Sequence, residues 1–171
     1  MDLRDIKEFL KDALKYIIAI VVILIFAIYV VSFQEVIGPS MNNTLKSGDI
    51  TVVNKLVFRL RNIKRNEIVS LKKDDKIMVK RIIGLPGEHI EYKDNILYVD
   101  GKKISDSRSS STKDFKLESI GYDTIPKDMY LVLGDNRDVS ADSRVKGLIN
   151  RSQIQGKAFF RLWPLNKIGV I

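Results

Sequence analysis

At 171 residues the chain has room for one compact core and little more. It has no cysteine, which excludes disulfides, thiolate metal sites and cysteine nucleophiles, and its one histidine excludes a multi-histidine metal centre. The net charge of +8 lies wholly in residues 34–171, which hold 25 Lys and Arg against 17 Asp and Glu. Those charges are scattered, without a basic helix or an aromatic-basic repeat, so they fit a solvated surface, anionic lipid headgroups or surface polymers better than nucleic acid.

The first element is apolar. From Tyr16 to Phe33 the chain reads YIIAIVVILIFAIYVVSF, eighteen residues without a charge. As a helix rising about 1.5 Å per residue it would be roughly 27 Å long, close to the hydrocarbon core of a bilayer. A cleavable secretory leader would have a shorter apolar run and a small-residue cleavage site, and Ser32-Phe33-Gln34-Glu35-Val36-Ile37 offers none. A buried globular helix would show a polar face to water, and this run has none. The expectation is a short segment over 1–15, an uncleaved anchor over 16–33 and a second region over 34–171. Arg4, Lys7, Lys11 and Lys15 precede the run, and only Lys46 falls in the twenty residues after it. The positive-inside rule then puts the N-terminus in the cytoplasm and residues 34–171 outside.

Just past the run stands Gly38-Pro39-Ser40-Met41. Gly and Pro ahead of a Ser make a tight turn that can lift its hydroxyl and aim backbone N–H groups at one point, as an oxyanion hole requires. The hydrolase elbow G-x-S-x-G is not met, because Asn42 takes the last position. Val36, Ile37, Met41 and Leu45 surround the serine with apolar side chains, suited either to an extended peptide or to the start of a core.

Short β-rich runs follow: Ile50 to Val53, Glu67 to Leu71, Ile77 to Leu85, His89 to Tyr92, Ile96 to Val99, Met129 to Leu133 and Lys157 to Trp163. Ser70-Leu71-Lys72-Lys73 matches S-x-x-K, but on a strand, where Ser and Lys do not align, and no K-T-G follows. Lys80 sits inside Ile77-Met78-Val79-Lys80-Arg81-Ile82-Ile83-Gly84, a strand apolar enough to carry it into a core. Burial would strip water from its ammonium and lower its pKa into a useful range for a base; the alternative is that it snorkels to the surface beside Arg81. His89 alternates with Ile90, on the same face as Glu91, and reads as a surface strand residue. Asp94-Asn95 and Asp100-Gly101 bracket Ile96–Val99, a small meander within a subdomain of about 90–125. Ser105 to Asp114 has no apolar side chain and reads as a mobile loop.

After Met129–Leu133 comes Gly134-Asp135-Asn136-Arg137-Asp138-Val139-Ser140-Ala141-Asp142-Ser143-Arg144. Such density of charge predicts a rigid, internally bonded loop, in which Ser140 or Ser143 can orient a lysine amine. EF-hand spacing is absent. The fold expected is mainly β: an antiparallel, partly closed barrel or sandwich with one N-terminal membrane helix.

The three segments GPSMNNTLKSGD, VKRIIGLPGE and GDNRDVSADSR, in this order behind an anchor, resemble those of bacterial type I signal peptidases, membrane-bound Ser/Lys proteases that remove signal peptides from exported proteins. The resemblance runs from Val36 to Arg144 and takes in the closing strand from Gly156 to Trp163. It implies Ser40 as nucleophile and Lys80 as general base, with Ser140 orienting the lysine and Asp142 and Arg144 as a supporting pair. Asp135 and Arg137 would belong to the same supporting loop. Val36, Ile37, Met41, Leu45, Met78 and Val79 would border the substrate groove, whose small pockets would select small side chains before the cut. The implied partners are preprotein signal peptides, membrane lipid and, by proximity, the secretion translocon; no metal, nucleotide or cofactor is implied. Three positions depart from the pattern. Gly38 supplies no hydroxyl, which leaves the oxyanion to backbone N–H groups including that of Ser40. Asn43 replaces the usual Pro and Val139 the usual Asn. A non-catalytic, membrane-anchored binding module of the export machinery or cell surface is the rival from another class, and it would need neither Ser40 nor Lys80. A self-cleaving repressor would want a helix-turn-helix where the apolar run stands.

Overall fold

The computed structural model describes residues 3–106 and 111–171. Helix α1 spans Leu3–Val30, and β1 (Val31–Glu35) follows without a break. Next come β2 (Ile50–Asn54), the short α2 (Val57–Leu60), β3 (Ile68–Lys73) and β4 (Lys76–Gly84). A run of small strands follows: β5 (Ile90–Lys93), β6 (Ile96–Val99), β7 (Lys102–Ile104) and β8 (Phe115–Lys116). The chain closes with β9 (Met129–Leu133), α3 (Ser143–Lys146), β10 (Ile149–Asn150), β11 (Ile154–Trp163) and β12 (Gly169–Val170).

The helix ends three residues before the apolar run does. Val31, Ser32 and Phe33 pair with Asn54, Val53 and Val52 of β2. An all-apolar, β-branched stretch has no period to separate helix from strand, so composition placed the end too late. Lys55 marks the true end: its N–H donates to the Val30 carbonyl at 2.8 Å and its Nζ to the Ile28 carbonyl at 2.6 Å. A cation there also suits the negative end of the helix dipole. At 28 residues α1 is about 42 Å long, and its most apolar 18-residue window is 0% buried. A helix this long and apolar, with that window unburied, is competent to cross a membrane.

Eight strands form one antiparallel sheet in the order β1-β2-β11-β3-β4-β9-β10, with β12 added to β11. The sheet stays open, with β1 and β10 at its edges, rather than closing into a barrel. The second sheet, β7-β6-β5-β8, is the small meander expected between about 90 and 125. Its two-residue turns, Asp94-Asn95 and Asp100-Gly101, take positive φ at both positions, as does Asp74-Asp75 between β3 and β4. That is the hairpin geometry whose twist matches its strands.

Ile83, Leu131 and Leu133 of the large sheet meet Ile90, Tyr92, Leu97 and Phe115 of the small one in a shared core. Ile82, Val69, Leu71 and Val132 pack on the opposite face with Phe58 and Ile154. Strand β4 is thus covered on both faces, which explains why its apolar run does not alternate. The expected mobile loop over 105–114 does not hold at its described ends. Arg137 Nη1 ion-pairs with Asp106 at 2.7 Å and donates to Thr112 Oγ1 at 2.8 Å. Residues 107–110 lie outside the described residues.

Candidate active site

Because β4 is covered on both faces, a lysine in its middle is largely withdrawn from water. Lys80 is 4% exposed, so burial rather than snorkelling is its state. Its Nζ lies 2.5 Å from Ser40 Oγ, across 40 positions of sequence. Burial lowers its pKa from 10.5 to about 8; Asp142 and Asp135 pull the value back up, and Lys146 pushes it further down. An amine tuned this way is neutral in a useful fraction of molecules near neutral pH, and a neutral amine can accept the Ser40 hydroxyl proton at the distance found.

The serine is carried by a compact turn. Gly38 opens it at φ 82, with its N–H donating to Ser47 Oγ at 3.2 Å. Asn42 N–H then reaches the Pro39 carbonyl and Leu45 N–H the Met41 carbonyl. Among the described residues, the Ser40 N–H has no acceptor, which leaves it able to donate to a developing oxyanion. Asn43, standing where the family pattern has proline, sits at φ 87, a value that a proline ring locked near −65° forbids.

The loop after β9 binds the serine and lysine segments together. Arg81, next to Lys80, is 2% exposed rather than at the surface. It donates through Nε and Nη2 to both oxygens of Asp135, at 2.7 and 2.6 Å. Asp135 also accepts from Thr44 Oγ1 at 2.5 Å, so one buried carboxylate holds the serine turn against the lysine strand. Asn136 N–H donates to the Ser40 carbonyl at 3.0 Å. Gly134 permits this closeness: a Cβ there would stand 2.3 Å from both the Ser40 carbonyl oxygen and Ser140 Oγ. Asp142 accepts from Gly134 N–H at 3.0 Å and from Arg144 Nε and Nη2, each at 2.9 Å. Arg144 in turn caps the Arg137 carbonyl at 2.6 Å.

Arg137 points the other way, to Tyr92, Asp106 and Thr112 of the small-sheet side, and so joins the two sheets rather than touching the dyad. Ser140 is buried, but its Oγ makes no hydrogen bond among the described residues, and none to Lys80. Ser143, the other candidate, spends its hydroxyl on the Val132 N–H. Val139 is 57% exposed and meets neither member of the pair. His89 is not brought to the serine: its Nδ1 bonds the Asp123 carbonyl at 2.7 Å. Ser70 of the S-x-x-K decoy lies on β3 and bonds Gln155.

The six groove candidates divide. Val36, Met41, Leu45 and Val79 are buried together with Val53, Ile68 and Ala158 as a core cluster beneath the serine turn. Ile37 is 78% exposed and Met78 half-buried, so these two have surface to offer a ligand. Met78 also lines a narrow cleft beside Lys80 with Ala141, Asp142 and Lys146. Arg81, Thr44, Asn136 and Gly134 are the site residues that sequence reasoning missed. An arginine adjacent to a candidate base in an apolar strand was the available signal, since it requires a buried partner.

A model of the family described as "Signal peptidase, peptidase S26" matches residues 7–163. Signal peptidase IB of Staphylococcus aureus is 36% identical, over 94% of this chain and 93% of the relative. Signal peptidase I of Bacillus caldolyticus is 40% identical, over 89% of this chain and 90% of the relative. A crystal structure of a signal peptidase I from Enterococcus faecalis V583 matches with a TM-score of 0.53 at 34% identity, covering 57% of this chain and 97% of that one. Since the family match runs through the helix, both sheets and the serine–lysine contact alike, this chain belongs to the bacterial type I signal peptidases, the serine protease family S26.

Proposed function

We propose that this chain removes N-terminal signal peptides from exported preproteins at the outer face of the membrane, cutting after small residues, with Ser40 as nucleophile and Lys80 as general base. The 2.5 Å contact between Ser40 Oγ and the buried Lys80 Nζ carries the reading. Neutral Lys80 takes the Ser40 proton as Oγ attacks the scissile carbonyl, and the Ser40 N–H supports the oxyanion. The ammonium then protonates the leaving amine, the acyl-enzyme forms, and Lys80 activates water to release the product. Ser140, with an unused acceptor in the buried site, is assigned the orienting contact to a Lys80 N–H. Asp142 and Arg144, with Asp135 and Arg137, hold the loop that presents it. The core cluster of Val36, Met41, Leu45 and Val79 serves as the apolar floor of the groove, and Ile37 and Met78 as its accessible walls.

Helix α1 is read as a single membrane anchor with the N-terminus in the cytoplasm, from the placement of Arg4, Lys7, Lys11 and Lys15. That topology sets Ser40 near the bilayer surface, close to where the translocon delivers its substrates. The test is cleavage of a membrane-inserted preprotein by the purified full chain, compared with Ser40→Ala and Lys80→Ala. Cutting after a small residue that is lost in both variants is the expected result. Equal cutting by all three overturns the dyad, and no cutting by folded wild type favours the non-catalytic module.

A further inference from the structure

The junction of α1 and β1 carries two cavities of opposite character that share one lysine. The first, about 630 Å³, opens beside Tyr29 and Phe33 and is lined by Lys55, Arg59 and Arg151 with no Asp or Glu. Among the described residues none of these three cations is ion-paired. Lys55 Nζ is given to the Ile28 carbonyl, Arg151 Nη2 to the Phe58 carbonyl at 2.6 Å, and Arg59 is exposed on the last turn of α2. Arg151 is further held 5.6 Å over the Phe58 ring. Three like charges gathered without a counter-charge repel one another, so the arrangement is stabilised by an anion. The second cavity, about 490 Å³, lies along Ala27, Ile28 and Val31 and reaches Lys55 through Ser32 and Phe33. Apart from Lys55 and Ser32 its lining is apolar.

A cationic hollow beside an apolar groove, with Ser32, Phe33 and Lys55 lining both, fits an amphiphile with a negative head. We propose that this junction seats one anionic phospholipid of the outer leaflet, its phosphate among Lys55, Arg59 and Arg151 and an acyl chain along Ala27, Ile28 and Val31. Free phosphate would make no use of the groove, and a phosphocholine head would bring its own cation against three others. The inference rests on reading α1 as the membrane anchor with β1 emerging on the outer side. It goes beyond that reading in naming a specific lipid site. Such a lipid would fix the domain at the point where the chain leaves the bilayer.

The test uses the full chain. Flotation with vesicles of pure phosphatidylcholine first reads the anchor. Native mass spectrometry of detergent-released chain, offered phosphatidylglycerol and phosphatidylcholine in equal amounts, then reads the seat. Retention of one phosphatidylglycerol, preferred by at least about tenfold, is expected, with excess inorganic phosphate unable to displace it. Arg59→Gln, an exposed change that disturbs no packing, should weaken the preference, and Arg59→Gln with Arg151→Gln should abolish it while signal-peptide cleavage persists. Equal retention of both lipids, an unchanged preference in the double variant, or displacement by phosphate overturns the seat. A chain that floats but shows no lipid preference loses the seat alone; one that does not float loses the anchor and the seat with it.

Discussion

Arg81 and Asp135 form a buried, two-pronged ion pair at 2.7 and 2.6 Å, with side chains 2% and 1% exposed. Arg81 follows the candidate base, and Asp135 also receives Thr44, four residues after the candidate nucleophile. The pair therefore sets the distance between two segments that sequence holds far apart. Replacing Asp135 by Asn leaves a buried guanidinium short of its counter-charge and should cost about 3–5 kcal/mol of stability. Arg81→Met combined with Asp135→Leu should recover most of that loss in denaturant unfolding but not the cleavage rate, because leucine leaves Thr44 without its acceptor.

Gly134 is where the loop approaches the serine most closely. Gly134→Ala places a methyl 2.3 Å from the Ser40 carbonyl oxygen and must displace the turn that carries the nucleophile. A shift of about 1 Å is enough to lower kcat/KM by about a hundredfold. Far-ultraviolet circular dichroism should remain that of wild type, since the sheets on either side are untouched.

Asn43 holds a backbone conformation that proline cannot enter. Restoring the usual family residue with Asn43→Pro should destabilise this chain by more than about 1 kcal/mol and reduce cleavage, whereas Asn43→Gly should stay within about 1 kcal/mol of wild type. Thermal unfolding of the three chains, alongside their cleavage rates, decides the point.

Much of this site was legible in the sequence, for a physical reason. All seven predicted β-runs became strands, because turn residues such as Asp94-Asn95 and Asp100-Gly101 punctuate them and need no tertiary context. The serine turn, the Lys80 strand and the Gly134–Arg144 loop converge as their family order implies. Three things were not legible. β1 was hidden in an apolar run, and β8, β10 and β12, at two residues each, are too short to show a period. An arginine in the apolar strand signals that Arg81 needs a buried partner, but that partner is Asp135, 54 positions away, and no local pattern identifies it. Asp106 and Thr112, in a stretch without apolar side chains, are fixed by Arg137 through polar contacts that composition reads as solvation.

Burying Lys80 has a cost that depends on pH. Its folded pKa, about 8, lies below the ordinary 10.5, so between those values the unfolded chain binds a proton that the folded chain does not. Stability from this group therefore rises as pH climbs through that window, and below about 8 the folded state carries the full penalty of about 3 kcal/mol. Lys80→Met should unfold later than wild type at pH 7 and lose its advantage as the pH approaches 10.5. Denaturant midpoints across that range give the comparison.

The most direct test of a buried lysine base is the pH dependence of kcat/KM for preprotein cleavage, which reports the free enzyme's essential base. The structure predicts a rise with pH whose midpoint lies near 8, followed by a plateau. A midpoint near the ordinary lysine value of 10.5, or a profile unchanged by Lys80→Met, would contradict it.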